Sequence, residues 1–345
     1  MRENENVILS FAIMATLLIF VGVAQSWGVA LSILNLCLIS AVMSIGVNIQ
    51  WGYAGLINFG VMGFTALGGL AAVLVSVDPI EEAWSVGGIG ILTSIGLIVL
   101  LVFLIKIILK KITQSKKRYF LIGIVIFLFI ILIRNISGPS IEAIESVNPA
   151  TQGFLGGLGL PIMFSWFIGG VFAALVAFVI GKIALGLRSD YLAIATLLIS
   201  GIIVSFVKHE DWLSRGVKNV IGMKRPAPYE IDLQQTEWFI NMVAFLNSGK
   251  LNLIDDILRK EKILNQLVMD ASTIFVKLCF AGLFSVVVII LLILTQKALY
   301  SPWGRMMRAI RDNEEAANAM GKNVVKQHLL IFILGSAIVG IAGAM

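Results

Sequence analysis

The sequence has few charged residues: Asp, Glu, Lys and Arg together make up 13% of its 345 residues. Soluble globular chains carry about 25%, so this deficit excludes an ordinary water-soluble domain. Apolar residues fill 59% of the chain, and the mean hydropathy is +0.97. Several apolar runs reach the ~20 residues that a helix needs to cross a bilayer. The composition therefore predicts an integral membrane protein.

The alternation of apolar and polar residues that marks the strands of a membrane barrel is also missing. A helix satisfies its own backbone hydrogen bonds in lipid, so we predict an all-α, polytopic transmembrane bundle. It forms one domain over residues 1–345, with about nine spans. By apolar length the spans lie near 8–26, 29–49, 60–77, 88–109, 119–134, 163–185, 190–207, 273–296 and 327–345.

Three further absences reduce the number of possible functional classes. The two cysteines, Cys37 and Cys279, both lie in apolar runs, which argues against a disulfide framework. The two histidines stand singly at span ends, so no metal site and no cofactor are predicted. No Asp or Glu lies in the core of a predicted span, whereas proton-coupled secondary transporters commonly use such acids as relays.

The charges that are present indicate orientation. Lys and Arg exceed Asp and Glu, for a net charge of +6, but they cluster at span ends, which is typical of membrane orientation and not of nucleic-acid binding. The segment KIILKKITQSKKR, residues 106–118, is basic without an acid and is expected in the cytoplasm. By parity the N-terminus is then cytoplasmic, and residues 208–270 form an external subdomain.

A polar stretch, residues 301–325, interrupts the apolar runs near the end of the chain. Ser301 before Pro302 is typical of a helix start. The apolar residues that follow have helical spacing, which predicts a helix lying on the inner membrane surface. Small residues follow two glutamates, and Gly321 is a natural helix stop. The stretch is therefore either a solvated loop or a docking element for a partner.

The same stretch carries a family resemblance. EAANAMG, residues 315–321, fits the Glu-Ala-Ala, three residues, Gly pattern of the cytoplasmic coupling loop in ABC importer permeases. The whole of 301–324 resembles the branched-chain amino acid permeases (the LivM type) and the related urea and amide permeases. GYAGLINFGVMGFTALGG (52–69), LRSDYLAIATL (187–197) and, more weakly, LSRGVKNVIGMKRP (213–226) resemble further segments of that family in the same order.

The resemblance implies a permease subunit of an ABC importer in the bacterial inner membrane, with no catalytic residue of its own. Its partners would be a second permease subunit in a heterodimer, two cytoplasmic ATP-binding subunits, an external substrate-binding protein and membrane lipid. The chain lacks the phosphate loop G-x-x-x-x-G-K-[ST], so energy would come from the partners. The residues expected to couple the subunit to the ATPases are Glu315, Ala316, Ala317, Gly321 and Arg308.

Two segments are candidates for the translocation path. One is glycine-rich and follows the second span; the other opens the seventh. Non-helical backbone at membrane depth is tolerated where it is buried in protein or lines a cavity. These segments are therefore either sites of close helix packing or part of the translocation path. The candidate residues are Gly52, Tyr53, Gly55, Asn58, Gly60, Asp190 and Tyr191.

The sequence departs from the family pattern in two places. Residues 91–134 resemble an extra helical hairpin. The last apolar run stops at Met345, where relatives continue, so we expect further chain or a separate polypeptide to supply another helix. Import of urea or short amides is an alternative, and nothing in the sequence distinguishes it from import of branched-chain amino acids. A secondary transporter is a different class, against which the coupling loop argues.

Overall fold

The computed structural model describes residues 2–111, 115–149, 152–186, 189–252 and 257–345. Within these ranges the chain forms helices and loops and no strand. The helices are α1 (Arg2–Ala24), α2 (Trp27–Asn48), α3 (Val61–Ser76), α4 (Glu81–Ala83), α5 (Ile89–Lys111), α6 (Ser115–Ser146), α7 (Ile162–Ala184), α8 (Ser189–His209), α9 (Asp211–Ser214), α10 (Glu230–Gln235), α11 (Glu237–Leu246), α12 (Ser248–Leu251), α13 (Ile257–Tyr300), α14 (Pro302–Asp312), α15 (Glu314–Ala319) and α16 (Val324–Ala344). Two π-helical turns, Ile49–Tyr53 and Trp84–Gly88, continue α2 and precede α5.

The predicted fold class is confirmed. In the described part of the chain, eight helical segments are long and apolar enough to cross a membrane, and they coincide with eight of the nine predicted spans. The ninth, predicted near 60–77, is α3. It is apolar but has only 16 residues, which extend about 24 Å at 1.5 Å per residue.

Two helices are longer than their predicted spans. Helix α6 has 32 residues where 119–134 was predicted, and α13 has 44 residues where 273–296 was predicted. Apolar length reports only the part of a helix that meets lipid, and both helices continue through more polar sequence. Helix α13 is about 66 Å long, roughly twice the thickness of the hydrocarbon core.

Helices α3, α7 and α16 pack on one another at the centre of the bundle. Glycine allows the close approach: a Cβ atom added to Gly68 would lie 2.1 Å from the carbonyl oxygen of Gly340, and one added to Gly340 would lie 2.4 Å from the Cβ atom of Ala173. Small residues at such crossings are typical of helix packing in lipid. Helix α2 packs on α16 and α13, α8 packs on α3, and α1 packs on α2.

Helices α5 and α6, the predicted extra hairpin, pack mainly on each other. They join the rest of the chain through a small apolar cluster that contains Ala83, Ile91, Ile144 and Leu155. Most of their large apolar side chains are exposed, as expected of helices surrounded by lipid.

In its described residues, the predicted external subdomain, 208–270, holds four short helices, α9 to α12, and the first part of α13. Phe239 and Val243 of α11 are buried against α13 in a cluster with Val268 and Val276. Gln234 of α10 donates a hydrogen bond to the hydroxyl of Ser272 over 3.0 Å. These short helices therefore share a core with α13.

Candidate functional site

The helix start predicted at Ser301 is confirmed. Ser301 is the N-cap of α14: its Oγ accepts a hydrogen bond from the amide of Gly304 over 3.4 Å, and Pro302 is the first helical residue. A proline there costs nothing, because the first amides of a helix have no intrahelical partner. Helix α14 thus follows α13 with a single residue between them.

The apolar face of α14, predicted to lie on the inner membrane surface, packs against protein. Met307 and Ile310 are fully buried in the main core cluster. Trp303 is half-buried, and its indole N–H donates to Oε1 of Gln327 over 3.1 Å. The helical spacing of the apolar residues is confirmed, and the surface that covers this face is formed by the ends of the spanning helices.

Helix α15 carries most of the predicted coupling residues. The side chain of Asn313 caps its start by accepting the amide of Ala316 over 2.9 Å. It ends at Ala319, and Gly321, the predicted helix stop, follows in a left-handed conformation with φ of 76°. The amide of Gly321 donates to the carbonyl of Asn318, and that of Lys322 to the carbonyl of Ala317. This pair of bonds is the Schellman motif.

The faces of α15 differ in exposure. Glu315, Ala316 and Gly321 are exposed, while Ala317 is half-buried and packs against the main core. Arg308, on α14, is exposed and makes no hydrogen bond or ion pair with the part of the chain that the structure describes. Helix α15 therefore presents an exposed surface of small residues, and the buried face of α14 holds it in place.

The glycine-rich segment after α2 is irregular. The π-helical turn Ile49–Tyr53 is followed by loop up to Gly60, where α3 begins. Gln50 is 1% exposed; its Nε2 donates to the carbonyl of Phe332 over 2.9 Å and to the hydroxyl of Ser336 over 3.1 Å. Its Oε1 accepts from Nδ2 of Asn58 over 2.8 Å. This network ties the segment to α16.

Two of the predicted path residues belong to that packing. Asn58 is buried, and its Oδ1 accepts the amide of Gly60, also buried, over 2.7 Å. On the other side, the hydroxyl of Ser200 accepts the amide of Gly63 over 2.8 Å. These bonds satisfy free amides at the start of α3. For Asn58 and Gly60 the structure thus provides a packing and capping role.

The remaining predicted path residues differ in exposure. Gly52 and Gly55 are exposed, and Tyr53 is half-buried. Tyr191, at the start of α8, is 62% exposed, and the side chain of Asp190 lies outside the described residues.

Gly52 and Gly55 line a groove of about 630 Å³, the size of a small-molecule site. Its wall is one face of α2, mostly apolar with a hydroxyl and an amide, and Arg311 of α14 lies at the end formed by Gly52 and Gly55. The lining residues are Met43, Ser44, Val47, Asn48, Trp51, Gly52, Gly55 and Arg311.

Arg311 was not predicted as a site residue. Its Nη1 donates to the carbonyl of Gly52 over 2.6 Å, joining positions 259 residues apart in the chain. The sequence shows three arginines on α14 and gives no signal that separates Arg311 from Arg308. The contact places the glycine-rich segment and the polar stretch 301–325 at the same end of the bundle.

Part of the chain matches a known protein family and two of its members. A family model described as "Branched-chain amino acid transport system / permease component" matches residues 146–345. The chain is 25% identical to the high-affinity branched-chain amino acid transport system permease protein LivM of Escherichia coli (strain K12) over 178 residues, which is 52% of this chain and 38% of the relative. It is 32% identical over 66 residues, 19% of each chain, to the probable branched-chain amino acid transport permease protein LivM of Methanocaldococcus jannaschii.

The aligned region spans less than two fifths of the Escherichia coli relative, and no solved structure matches the chain. The family match begins at the end of α6, so the α5–α6 hairpin and the segment 49–60 lie before it. It includes α7 and α16 of the central bundle and the whole of α14 and α15. Because the match covers more than half of the 345 residues, the chain belongs to the family of branched-chain amino acid transport permeases.

Proposed function

We propose that this chain is the membrane-spanning permease subunit of an ABC importer that moves branched-chain or related amino acids into the cytoplasm. It pairs with a second permease subunit, two cytoplasmic ATPases and an external binding protein, in a bacterial inner membrane. The observation that carries the proposal is the exposed small-residue face of α15, which ends at Gly321 and stands on the buried face of α14.

The form of α15 supports docking into an ATPase. A short helix with small side chains can enter a groove on a partner without steric conflict. Helix α14 anchors α15 to the protein, because Met307 and Ile310 of α14 are fully buried in the core. A partner that displaces α15 therefore displaces α14 together with it.

The groove beside α2 supports an amino acid as the cargo. Apolar side chains of Met43, Val47 and Trp51 suit a branched aliphatic group, and Ser44 and Asn48 offer hydrogen bonds to its polar end. The groove is open on one side, which a second permease subunit would cover. No Asp or Glu is among its lining residues, in keeping with a neutral or zwitterionic solute.

The coupling role is tested by pairs of substitutions at the same position. Ala316→Arg places a long cation on the docking face, and Gly321→Val forces a β-branched residue into a left-handed conformation. Both are expected to abolish leucine uptake and ATPase co-purification while the subunit stays in the membrane. The controls Ala316→Ser, which remains small, and Gly321→Asn, which tolerates that conformation, should retain both. Wild-type uptake by Ala316→Arg and Gly321→Val would contradict the proposal.

The proposed orientation puts residues 106–118 in the cytoplasm and Glu145 outside, with the N-terminus in the cytoplasm. Cysteine introduced at Lys116 or Glu145 and labelled with a membrane-impermeant reagent in intact cells is expected to react only at position 145. Reaction only at position 116 would reverse the orientation.

A further inference from the structure

The contact between Arg311 and Gly52 joins the coupling segment to the irregular end of α2. Besides the hydrogen bond to the carbonyl of Gly52, the aliphatic part of Arg311 lies over Gly55, where an added Cβ atom would be 3.1 Å from its Cγ atom. Gly55 has φ of 71°, a conformation that side chains rarely adopt. The arginine is therefore held both by a charged hydrogen bond and by close packing.

The electrostatics of this contact are favourable. Gly52 lies in the last helical turn before the chain becomes irregular, where carbonyl groups lack intrahelical partners. The helix dipole also leaves partial negative charge at this end. A guanidinium group pairs with the free carbonyl and also neutralises the partial negative charge. A hydrogen bond from a charged donor is stronger than one between neutral groups. Asp312 also accepts hydrogen bonds from the same guanidinium over 3.2 and 3.3 Å, in an exposed ion pair.

The position of Arg311 on α14 suits the transmission of movement. It is the second-last residue of α14, and only Asn313 separates α14 from α15. A displacement of α15 therefore reaches the last turn of α14, which contains Arg311. Because Arg311 and Gly52 both line the groove beside α2, a movement of the arginine changes the end of that groove.

We propose that Arg311 is a positioning residue that transmits movement of the coupling helix α15 to the end of α2, and so opens and closes one end of the groove. This inference rests on the proposed function, because it takes α15 as the place where the ATPases act. Arg311 needs no contact with the transported solute for this role.

Arg305 on the same helix provides a matched control. Its Nη1 donates to the carbonyl of Tyr300 over 3.1 Å, so it also binds a carbonyl group at the end of a helix. Tyr300, however, is the last residue of α13, separated from α14 only by Ser301. Arg305→Ala removes the same charge and the same kind of bond without separating α14 from α2.

The first experiment measures the ATP hydrolysed per leucine transported by the full complex in proteoliposomes. Arg311→Ala is expected to assemble and hydrolyse ATP, and to raise this ratio about 10-fold, within the range of coupling energies between sites. Arg311→Lys should recover part of the loss, because an ammonium group can also bind the carbonyl of Gly52. Arg305→Ala should keep the wild-type ratio. A wild-type ratio in Arg311→Ala, or an equal rise in Arg305→Ala, would overturn the inference.

The second experiment separates this inference from the proposed function. Hydrogen exchange of the backbone amides of residues 52–56 is measured in the membrane-embedded subunit without ATP. Arg311→Ala is expected to accelerate exchange there about 10-fold, the loss that one charged hydrogen bond produces, and Arg305→Ala should not. Unchanged exchange in Arg311→Ala would overturn the inference while leaving the importer proposal intact. A wild-type complex without ATP-dependent uptake would instead contradict the importer proposal.

Discussion

The central helices α3, α7 and α16 and the α5–α6 hairpin show that apolar character and burial are separate properties in a membrane protein. The most apolar stretches of the hairpin have a higher mean hydropathy than those of α7 and α16, yet they are buried much less. Lipid tails solvate large apolar side chains as well as protein does, so hydrophobicity does not drive helices together. The central helices carry glycines at their crossings and polar groups that bond between helices. These features mark the packed region.

The largest difference between the two regions is expected from glycine replacement. Gly68→Leu puts a side chain where a Cβ atom would already lie 2.1 Å from the backbone of α16. Overpacking typically costs about 1–3 kcal/mol, and the cost here should reach or exceed the top of that range, because backbone cannot move aside as a side chain can. The yield of folded subunit, measured by size-exclusion chromatography in detergent, should fall close to zero.

The hairpin supplies the control for that replacement. An added Cβ atom at Gly123 of α6 meets nothing within 4 Å among the described residues. Gly123→Leu should leave the yield unchanged. Equal losses from both replacements would show that the hairpin is packed as tightly as the central bundle.

A smaller difference is expected from buried polar groups. Gln50→Leu removes three hydrogen bonds and leaves Nδ2 of Asn58 without its partner, at a cost of about 1–3 kcal/mol. Ser94 of α5 is also buried, but among the described residues its side chain bonds only to the carbonyl of Gly90 in the same helix, an interaction that stabilises little. Thermal unfolding should show a lower midpoint for Gln50→Leu and no change for Ser94→Ala. The reverse order would contradict the comparison.

The smallest effect is expected where the two regions meet. Ile144 is fully buried in the cluster that joins the hairpin to the rest of the chain. Ile144→Val removes one methylene group, at a cost of about 1 kcal/mol, while Ile131→Val on the exposed face of α6 should cost nothing measurable. Hydrogen exchange in residues 135–146 checks this: it should rise only in the first variant. No change there would mean that other contacts hold the hairpin.

The elements that the sequence predicted are those set by local chemistry. Apolar length locates the spans, and the start at Ser301 and the stop at Gly321 follow from capping and from the conformational freedom of glycine. The burial of α14 was missed, because the same apolar spacing suits a membrane surface and a protein core. The role of Arg311 could not be predicted, since it depends on a carbonyl group 259 residues away that no local pattern reveals.

Helix α13 has a mechanical consequence. It is one uninterrupted rod of 44 residues, with α10 and α11 packed on its first half and α14 attached after its last residue. A rigid rod about 66 Å long that tilts by about 10° around its midpoint carries each end through about 6 Å, in opposite directions. A displacement of α10 and α11 at one end of α13 therefore moves α14 at the other end through the backbone of α13 itself, and not through side-chain contacts in the bundle.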